Sequence, residues 1–245
     1  SVFTIPAPSF TNLQIEQILK SHFGISGHVK SLYGDRDQNL LIKTKKLHYI
    51  LKVFNVHEKK EIIDFQDIAI NYIRKNDSEI LVPLTLDQKR IRQNGKTYTF
   101  KLLKYLEGKF LYEKAMSSHD YTNMGFFMGR LSTALIGFNH KAAYRLFEWD
   151  CRRIDIIKTN LNFIKNQTEK DTILFFLNQY TENVVPFLHK LRMSVIHNDG
   201  NDHNILINHK HKTFGIIDFG DMIHSFHIIE PAVAASYIYL DNQNS

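Results

Sequence analysis

Little in this sequence invites disulfide, zinc or membrane chemistry. One cysteine, Cys151, among 245 residues excludes an internal disulfide and a four-cysteine zinc site, and it reads as a core residue. No apolar run approaches the ~20 residues that span a bilayer. Ser1 to Phe10 shows no charged segment followed by a long apolar one, so no signal peptide is expected. Repeats and low-complexity tracts are absent. Basic residues exceed acidic ones only mildly, 31 against 25, for a net charge of +6. They are scattered rather than gathered on one stripe, which argues against nucleic acid as a partner and suits an anionic small ligand. What remains is an ordinary globular composition, 43% apolar and 23% charged. At roughly 150 residues per domain that makes one or two domains. The expectation is a cytoplasmic protein.

Periodicity divides the chain. Thr11 to Phe23 carries Leu13, Ile18, Leu19 and Phe23 at helical spacing behind a capping residue, and Gly24 can end it. Short β-rich runs follow at Val29–Leu32, Leu40–Thr44 and Tyr49–Phe54. Lys59 to Lys75 reads as a helix with Ile62, Phe65, Ile68, Ala69 and Tyr72 on one side. Asn94-Gly95, a strong hairpin signal, joins strands at about Arg90–Gln93 and Lys96–Leu103. From Ser118 helices dominate: Tyr121–Phe138, Arg152–Phe163, and Asp171–His189 with Pro186 as a break. Strands return at Ser194–Ile196, Ile205–Ile207 and Phe214–Ile217, with His209 and His211 in the turn between the last two. A helix closes the pattern at Glu230–Leu240. The result is an α+β chain: a strand-rich part over residues 1–104 with one main helix, then a helix-rich part over 105–245 with a small β insert. A hinge falls near Lys104–Gly108.

Several partial motifs fail. Gly95-Lys96-Thr97 is half of a phosphate-binding loop, but Arg90 stands where its first glycine belongs. Asp35, Asp37 and Asn39 imitate the start of a calcium loop, whose sixth and twelfth positions are then Leu40 and Lys46 instead of Gly and Glu. His197, His203, His224 and His227 match no zinc spacing.

One constellation carries chemistry. His197-Asn198-Asp199 is followed by Asn204, with apolar β-like runs on both sides, and Asp218-Phe219-Gly220 follows a further apolar run. Phosphoryl transfer explains the order. A hydroxyl acceptor must be oriented and lose a proton, which calls for one carboxylate, Asp199. A nucleoside triphosphate carries Mg²⁺, which takes hard oxygen ligands, and Asn204 and Asp218 supply them. Positioning and charge neutralisation do the rest. A short hairpin between Asn204 and Asp218 would put both at one end of the β insert.

The N-terminal part should then hold the nucleotide. Lys52 lies in an alternating apolar strand, where an unpaired charge is costly. A phosphate together with an acid on the next helix, Glu61 or Asp64, would offset that cost. The polar loop Tyr33–Asn39, with Gly34, Asp35, Gln38 and Asn39, would cover the phosphates through backbone amides. Lys104 to Leu106 would offer backbone groups to the base.

These residues resemble the aminoglycoside phosphotransferase and choline kinase superfamily, and within it the hydroxylysine kinase-like phosphotransferases. The likeness rests on Asp37-Gln38-Asn39, on His197–Ile207, on Asp218–Met222 and its continuation through Glu230, and on Glu148-Trp149-Asp150. It runs from about Phe10 to Leu240. It implies a protein-kinase-like, two-lobed fold that moves the terminal phosphate of ATP or GTP to a hydroxyl of an amine-bearing metabolite. A hydroxylysine-like amino alcohol comes first, with an aminoglycoside or homoserine as the alternative acceptor and a catalytically inactive binding module as the reading from another class. Asp202, Asp221 and Glu230 are the carboxylates available to a cationic acceptor. Asn198 departs from the glycine common between the His and the Asp. The chain ends about twenty residues after Asp221, where the resemblance implies further helices, and in some relatives a fused domain.

Overall fold

The structure, a computed structural model, describes residues 5–113, 116–208 and 213–243. The turn with His209 and His211 lies outside the described residues. The N-terminal part is a five-stranded antiparallel sheet in the order β1-β2-β3-β5-β4. The strands are β1 (His28–Ser31), β2 (Gln38–Lys43), β3 (His48–Val53), β4 (Thr85–Gln93) and β5 (Lys96–Lys104). The β4–β5 turn takes positive φ at both Asn94 (50°) and Gly95 (78°), the conformation that makes this dipeptide a hairpin former. β4 begins at Thr85, five residues earlier than its apolar content suggests. Apart from the exposed Leu86, its residues 85–90 are polar, and β4 is a sheet edge, where one side faces water.

Helix α1 (Asn12–Ile18) starts at a reciprocal cap between Thr11 and Gln14, an arrangement worth about 1 kcal/mol. It widens into a π turn over Leu19–Phe23 and stops at left-handed Gly24. With the sheet it buries Ile15, Leu19, Leu40, Leu51, Val53 and Phe100.

Helix α2 (Lys60–Asn76) turns Ile62, Phe65, Ala69 and Ile73 into a second and larger core. Ile68, expected on that face, is 45% exposed; Ile63, Gln66 and Ile70 are buried instead. The larger core continues through α3 (Ser118–Ala134) and into the strands β8 (Ile205–Asn208) and β9 (Thr213–Ile216). Residues on both sides of position 104 therefore share one apolar interior.

The helices α4 (Ile154–Asn160) and α5 (Gln167–Asn183) each run into a 3-10 turn, and Pro186 sits at the start of the one after α5. Cys151 is exposed, not in the core as its residue type suggested. Two small sheets complete the C-terminal part. One is β6-β8-β9, with β6 at Lys109–Phe110; the other pairs β7 (Met193–Ile196) with β10 (Ile223–Phe226). β10 is a strand that the sequence pattern did not suggest. Its apolar residues Ile223 and Phe226 alternate imperfectly around two polar ones, of which Ser225 is fully buried. Helix α6 (Ile229–Gln243) packs against α3. Among the described residues no helix is long and apolar enough to cross a membrane.

Candidate active site

The segment between β7 and β8 is built around His197, which is fully buried. Its Nδ1 accepts the Asp199 backbone N–H at 3.3 Å, and its Nε2 lies 3.0 Å from the Ile217 carbonyl oxygen. A backbone N–H only donates and a carbonyl only accepts, so the ring is the neutral tautomer with its proton on Nε2. Burial holds its pKa down to about 4. The ring thereby ties the segment carrying Asp199 to the residue before Asp218. Asn198, next in the chain, adopts φ 71°. That left-handed geometry suits glycine, and asparagine tolerates it, so the departure from glycine at this position costs little.

Asp199 is held at both oxygens. Asn201 Nδ2 donates to Oδ1 at 2.8 Å and Asn204 Nδ2 to Oδ2 at 2.6 Å. Burial, and then the charges of Asp221 and Asp218, push its carboxyl up to about 7 despite those bonds. A carboxyl placed there can take a proton near neutrality. The β8–β9 hairpin pairs Ile205 with Ile216, and the Ile217 N–H donates to the Asn204 carbonyl at 2.9 Å. Asn204 and Asp218 consequently sit at the same end of the hairpin.

Asp218 is in the left-handed region, φ 60°. Its Oδ1 accepts from Lys52 Nζ at 3.0 Å and from the Gly220 N–H at 3.4 Å. Lys52 holds its carboxyl down to about 2, against the opposing effect of burial. Among the described residues both hydrogen bonds end on Oδ1, so Oδ2 remains for a ligand. The amide nitrogen of Asn204 faces Asp199, which turns its oxygen the other way. A carboxylate oxygen and an amide oxygen at one hairpin end are the hard donors that Mg²⁺ takes alongside phosphate oxygens. These two residues fit that ion.

Lys52 is buried and pairs with two carboxylates, Asp218 and, at 3.2 Å, Asp37 Oδ2. Burial disfavours its charge, but the two anions more than reverse this and raise its pKa. Neither expected helix acid reaches it. Asp64 pairs with Lys60 one turn back, and Glu61 lies 3.9 Å from Lys141. The helix acid that does reach the sheet is Asp67, one turn beyond Asp64. It accepts from Lys101 Nζ on β5 at 2.9 Å and from the Thr85 hydroxyl at 2.7 Å. Lys101 occupies an alternating apolar strand just as Lys52 does, so its pattern held the same signal.

The loop before β2 also differs in part from expectation. The Gln38 side chain is spent on both backbone groups of Phe10, at 2.8 Å each, and Asn39 donates to the Tyr33 carbonyl at 3.1 Å. Gln38 thus ties β2 to the segment ahead of α1, and Asn39 braces the loop. Asp35 is exposed and Gly34 half-buried. At the hinge, the Lys104 N–H is taken by the Leu84 carbonyl at 2.8 Å, while Leu106 is half-buried outside any strand.

The three carboxylates expected to meet a cationic acceptor part ways. Glu230 is fully buried under the Asp199 segment, and its Oε2 accepts the His197 N–H. It serves the backbone, where an acceptor does not reach. Asp221 forms an ion pair with Arg36 of the β1–β2 loop. Asp202 stays half-buried beside a small cavity lined by Tyr121 and Tyr237. Asp150, of the Glu148-Trp149-Asp150 element, is buried; Arg152 forks onto it, and the Ser225 hydroxyl donates to it at 3.2 Å. The Trp149 carbonyl accepts from Asn198 Nδ2 at 3.4 Å, so this element supports the same segment.

This carboxylate held between two asparagine amides, with a lysine–aspartate pair across from it, sits in a kinase-like α+β fold. The chain belongs to the phosphotransferase enzyme family, whose profile matches residues 28–244. It is an enzyme that phosphorylates a hydroxyl of a small molecule. Among curated relatives, hydroxylysine kinase of Mus musculus is 24% identical over 272 residues, covering 97% of this chain and 71% of that protein. The Danio rerio hydroxylysine kinase is 23% identical over 255 residues, covering 96% and 72%. Solved structures share the fold. A microcompartment-associated aminopropanol kinase superposes with a TM-score of 0.72 at 16% identity, covering 92% of this chain and 74% of that one. An aminoglycoside 2'-phosphotransferase in a GDP complex gives 0.70 at 16%, covering 94% and 78%. A spectinomycin phosphotransferase with ADP and spectinomycin gives 0.60 at 15%, covering 91% and 72%.

Proposed function

We propose that this chain transfers the terminal phosphate of ATP or GTP to the hydroxyl of a small amino alcohol of the hydroxylysine type, with Asp199 as the group that receives the hydroxyl proton. The observation that carries the reading is the carboxylate of Asp199, clamped by Asn201 and Asn204 at 2.8 and 2.6 Å and raised to about 7. In the step, the acceptor oxygen bonds to the terminal phosphorus as the bond from that phosphorus to the bridging oxygen breaks. The diphosphate leaves with the electron pair, and the hydroxyl proton passes to Asp199. Lys52 holds the nucleotide's phosphates, and Asn204 and Asp218 would hold Mg²⁺, which supplies further neutralisation of phosphate charge. The lobes meet at residues 104 and 105, where Lys104 and Leu106 border the base. Gly34 and Asp35 lie in the loop over the phosphates.

The acceptor class is supported by the names of relatives, which include a hydroxylysine kinase and an aminopropanol kinase. Its ammonium group would be met by Asp202 with the phenol rings of Tyr121 and Tyr237 beside it. Neighbours carry either GDP or ADP, and both triphosphates remain donors to assay. The decisive variant is Asp199→Asn. Loss of a positioned proton acceptor is expected to cut turnover by roughly 10²–10⁴-fold while nucleotide affinity stays within a few-fold. Full turnover in the variant, assayed with ATP and GTP against hydroxylysine, homoserine, choline and an aminoglycoside, would remove Asp199 from the reaction.

A further inference from the structure

The loop joining β1 to β2 carries a cation that the reaction above does not use. Gly34 sets how this loop turns, because a Cβ there would come within 2.2 Å of the Asp37 carbonyl oxygen. Asp37 then pins the loop with both carboxylate oxygens, one on the Asn55 N–H at 2.9 Å and the other on Lys52. Arg36, beside it, reaches across to the C-terminal part and pairs with Asp221. Its guanidinium approaches the turn after Asp218, where a Cβ on Gly220 would stand 3.1 Å from Nη2. Glycine at 220 is what lets the cation come so close to the metal-side carboxylate.

The neighbouring cations are committed. Arg145 donates to the carbonyls of Gly220 and Met222 and sits 4.5 Å from the centre of the Phe147 ring. Lys52 already serves two carboxylates. Three cations, Lys52, Arg36 and Arg145, thus crowd four anions, Asp37, Asp218, Asp221 and, beside Arg145, Glu58. A polyphosphate entering beside Lys52 adds negative charge, and one carboxylate must yield. Arg36 and Asp221 are equally half-buried, at 15% and 14% side-chain exposure, so a phosphate that reaches Arg36 has to take the place of Asp221. The planar guanidinium fork matches phosphate oxygens as well as it matches a carboxylate.

We propose that Arg36 is a ligand of the nucleotide's phosphates, and that Asp221 competes with those phosphates for it, so that this ion pair between loop and cleft sets nucleotide affinity. The inference rests on the nucleotide site proposed above and adds a residue to it. The test is calorimetric titration of ADP and GDP, with and without Mg²⁺, into the whole chain and its variants. Arg36→Gln is expected to weaken both nucleotides roughly tenfold or more, the scale of a lost charge-assisted bond, with the acceptor KM unchanged. Asp221→Asn is expected to tighten them severalfold without Mg²⁺. The exchanged pair, Arg36→Asp with Asp221→Arg, separates a phosphate ligand from a mere clasp. It should recover the melting temperature lost by Arg36→Asp alone and leave nucleotide binding weak. Recovery of affinity in the exchanged pair, or unchanged affinity in Arg36→Gln, would overturn the proposal while leaving the kinase reading intact. An unsubstituted chain that binds neither nucleotide would overturn both.

Discussion

Lys52 and Lys101 stand opposite each other on neighbouring strands of one sheet. Both are buried, and their ammonium groups lie 5.5 and 5.4 Å from the centre of the same Phe54 ring. Their partners differ. Lys101 is answered from within the N-terminal part, by Asp67 and the Ile63 carbonyl of α2. Lys52 is answered by Asp37 of the loop and by Asp218 from the other side of the cleft. Burial lowers the pKa of Lys101 overall, whereas the two anions around Lys52 raise its own. Two lysines with the same strand pattern and similar burial therefore do separate jobs. One anchors a helix to the sheet, and the other joins the sheet to the β1–β2 loop and to Asp218.

That division can be broken from either side. The largest effect is expected from Asp67→Ala, which strands a buried ammonium; such losses cost about 3–5 kcal/mol, to be read in urea unfolding. Replacing both partners, Asp67→Leu with Lys101→Met, should return most of that stability, because no orphan charge remains. Next comes Lys52→Met. It removes a cation from the phosphates and should lower kcat/KM by roughly 10²–10³-fold, with stability changed less than in Asp67→Ala. If Lys101→Met lowers nucleotide affinity as deeply as Lys52→Met does, the two lysines form one site and the comparison fails.

The smallest effect concerns a third buried charge, the Glu230 carboxyl. Burial raises it from 4.5 to about 7 in the folded chain. The folded state then holds this proton more tightly than the unfolded state does. Stability is accordingly expected to fall as pH rises from about 4.5 to about 7, by on the order of 3 kcal/mol at most. Glu230→Gln keeps an oxygen for the His197 N–H and removes the titration. Melting temperatures from pH 4 to 8 should slope less steeply in the variant, and identical slopes would show that Glu230 does not carry this linkage.

The parts of the site legible in the sequence were those whose chemistry is local. His197, Asp199 and Asn204 lie within eight residues, and Asp218 follows just after the second strand of a short hairpin. Lys52 was legible because a charge in an apolar strand needs an explanation. Its partner was not. Helical proximity favoured Glu61 or Asp64, but the sheet runs past α2 at an angle that brings Asp67 to Lys101 and leaves Lys52 facing the loop and Asp218. The role of Glu230 was hidden for a related reason. A carboxylate just inside the start of a helix reads as a surface charge, and only the packing of α6 beneath the Asp199 segment buries it. Gln38 and Asn39 were read for their place in a loop, but the Gln38 amide binds the backbone of Phe10 and the Asn39 amide the Tyr33 carbonyl.

The His197 ring has a consequence for how this enzyme can change. By joining the Asp199 backbone to the Ile217 carbonyl from inside the core, it works as a fixed gauge between the two acidic walls of the cleft. That spacing is set by a neutral imidazole that is fully buried. Residues along the outer rim, such as Asp202 and Tyr237, are under no such constraint. Side chains on that rim can therefore be exchanged with the spacing between Asp199 and Asp218 left as it was.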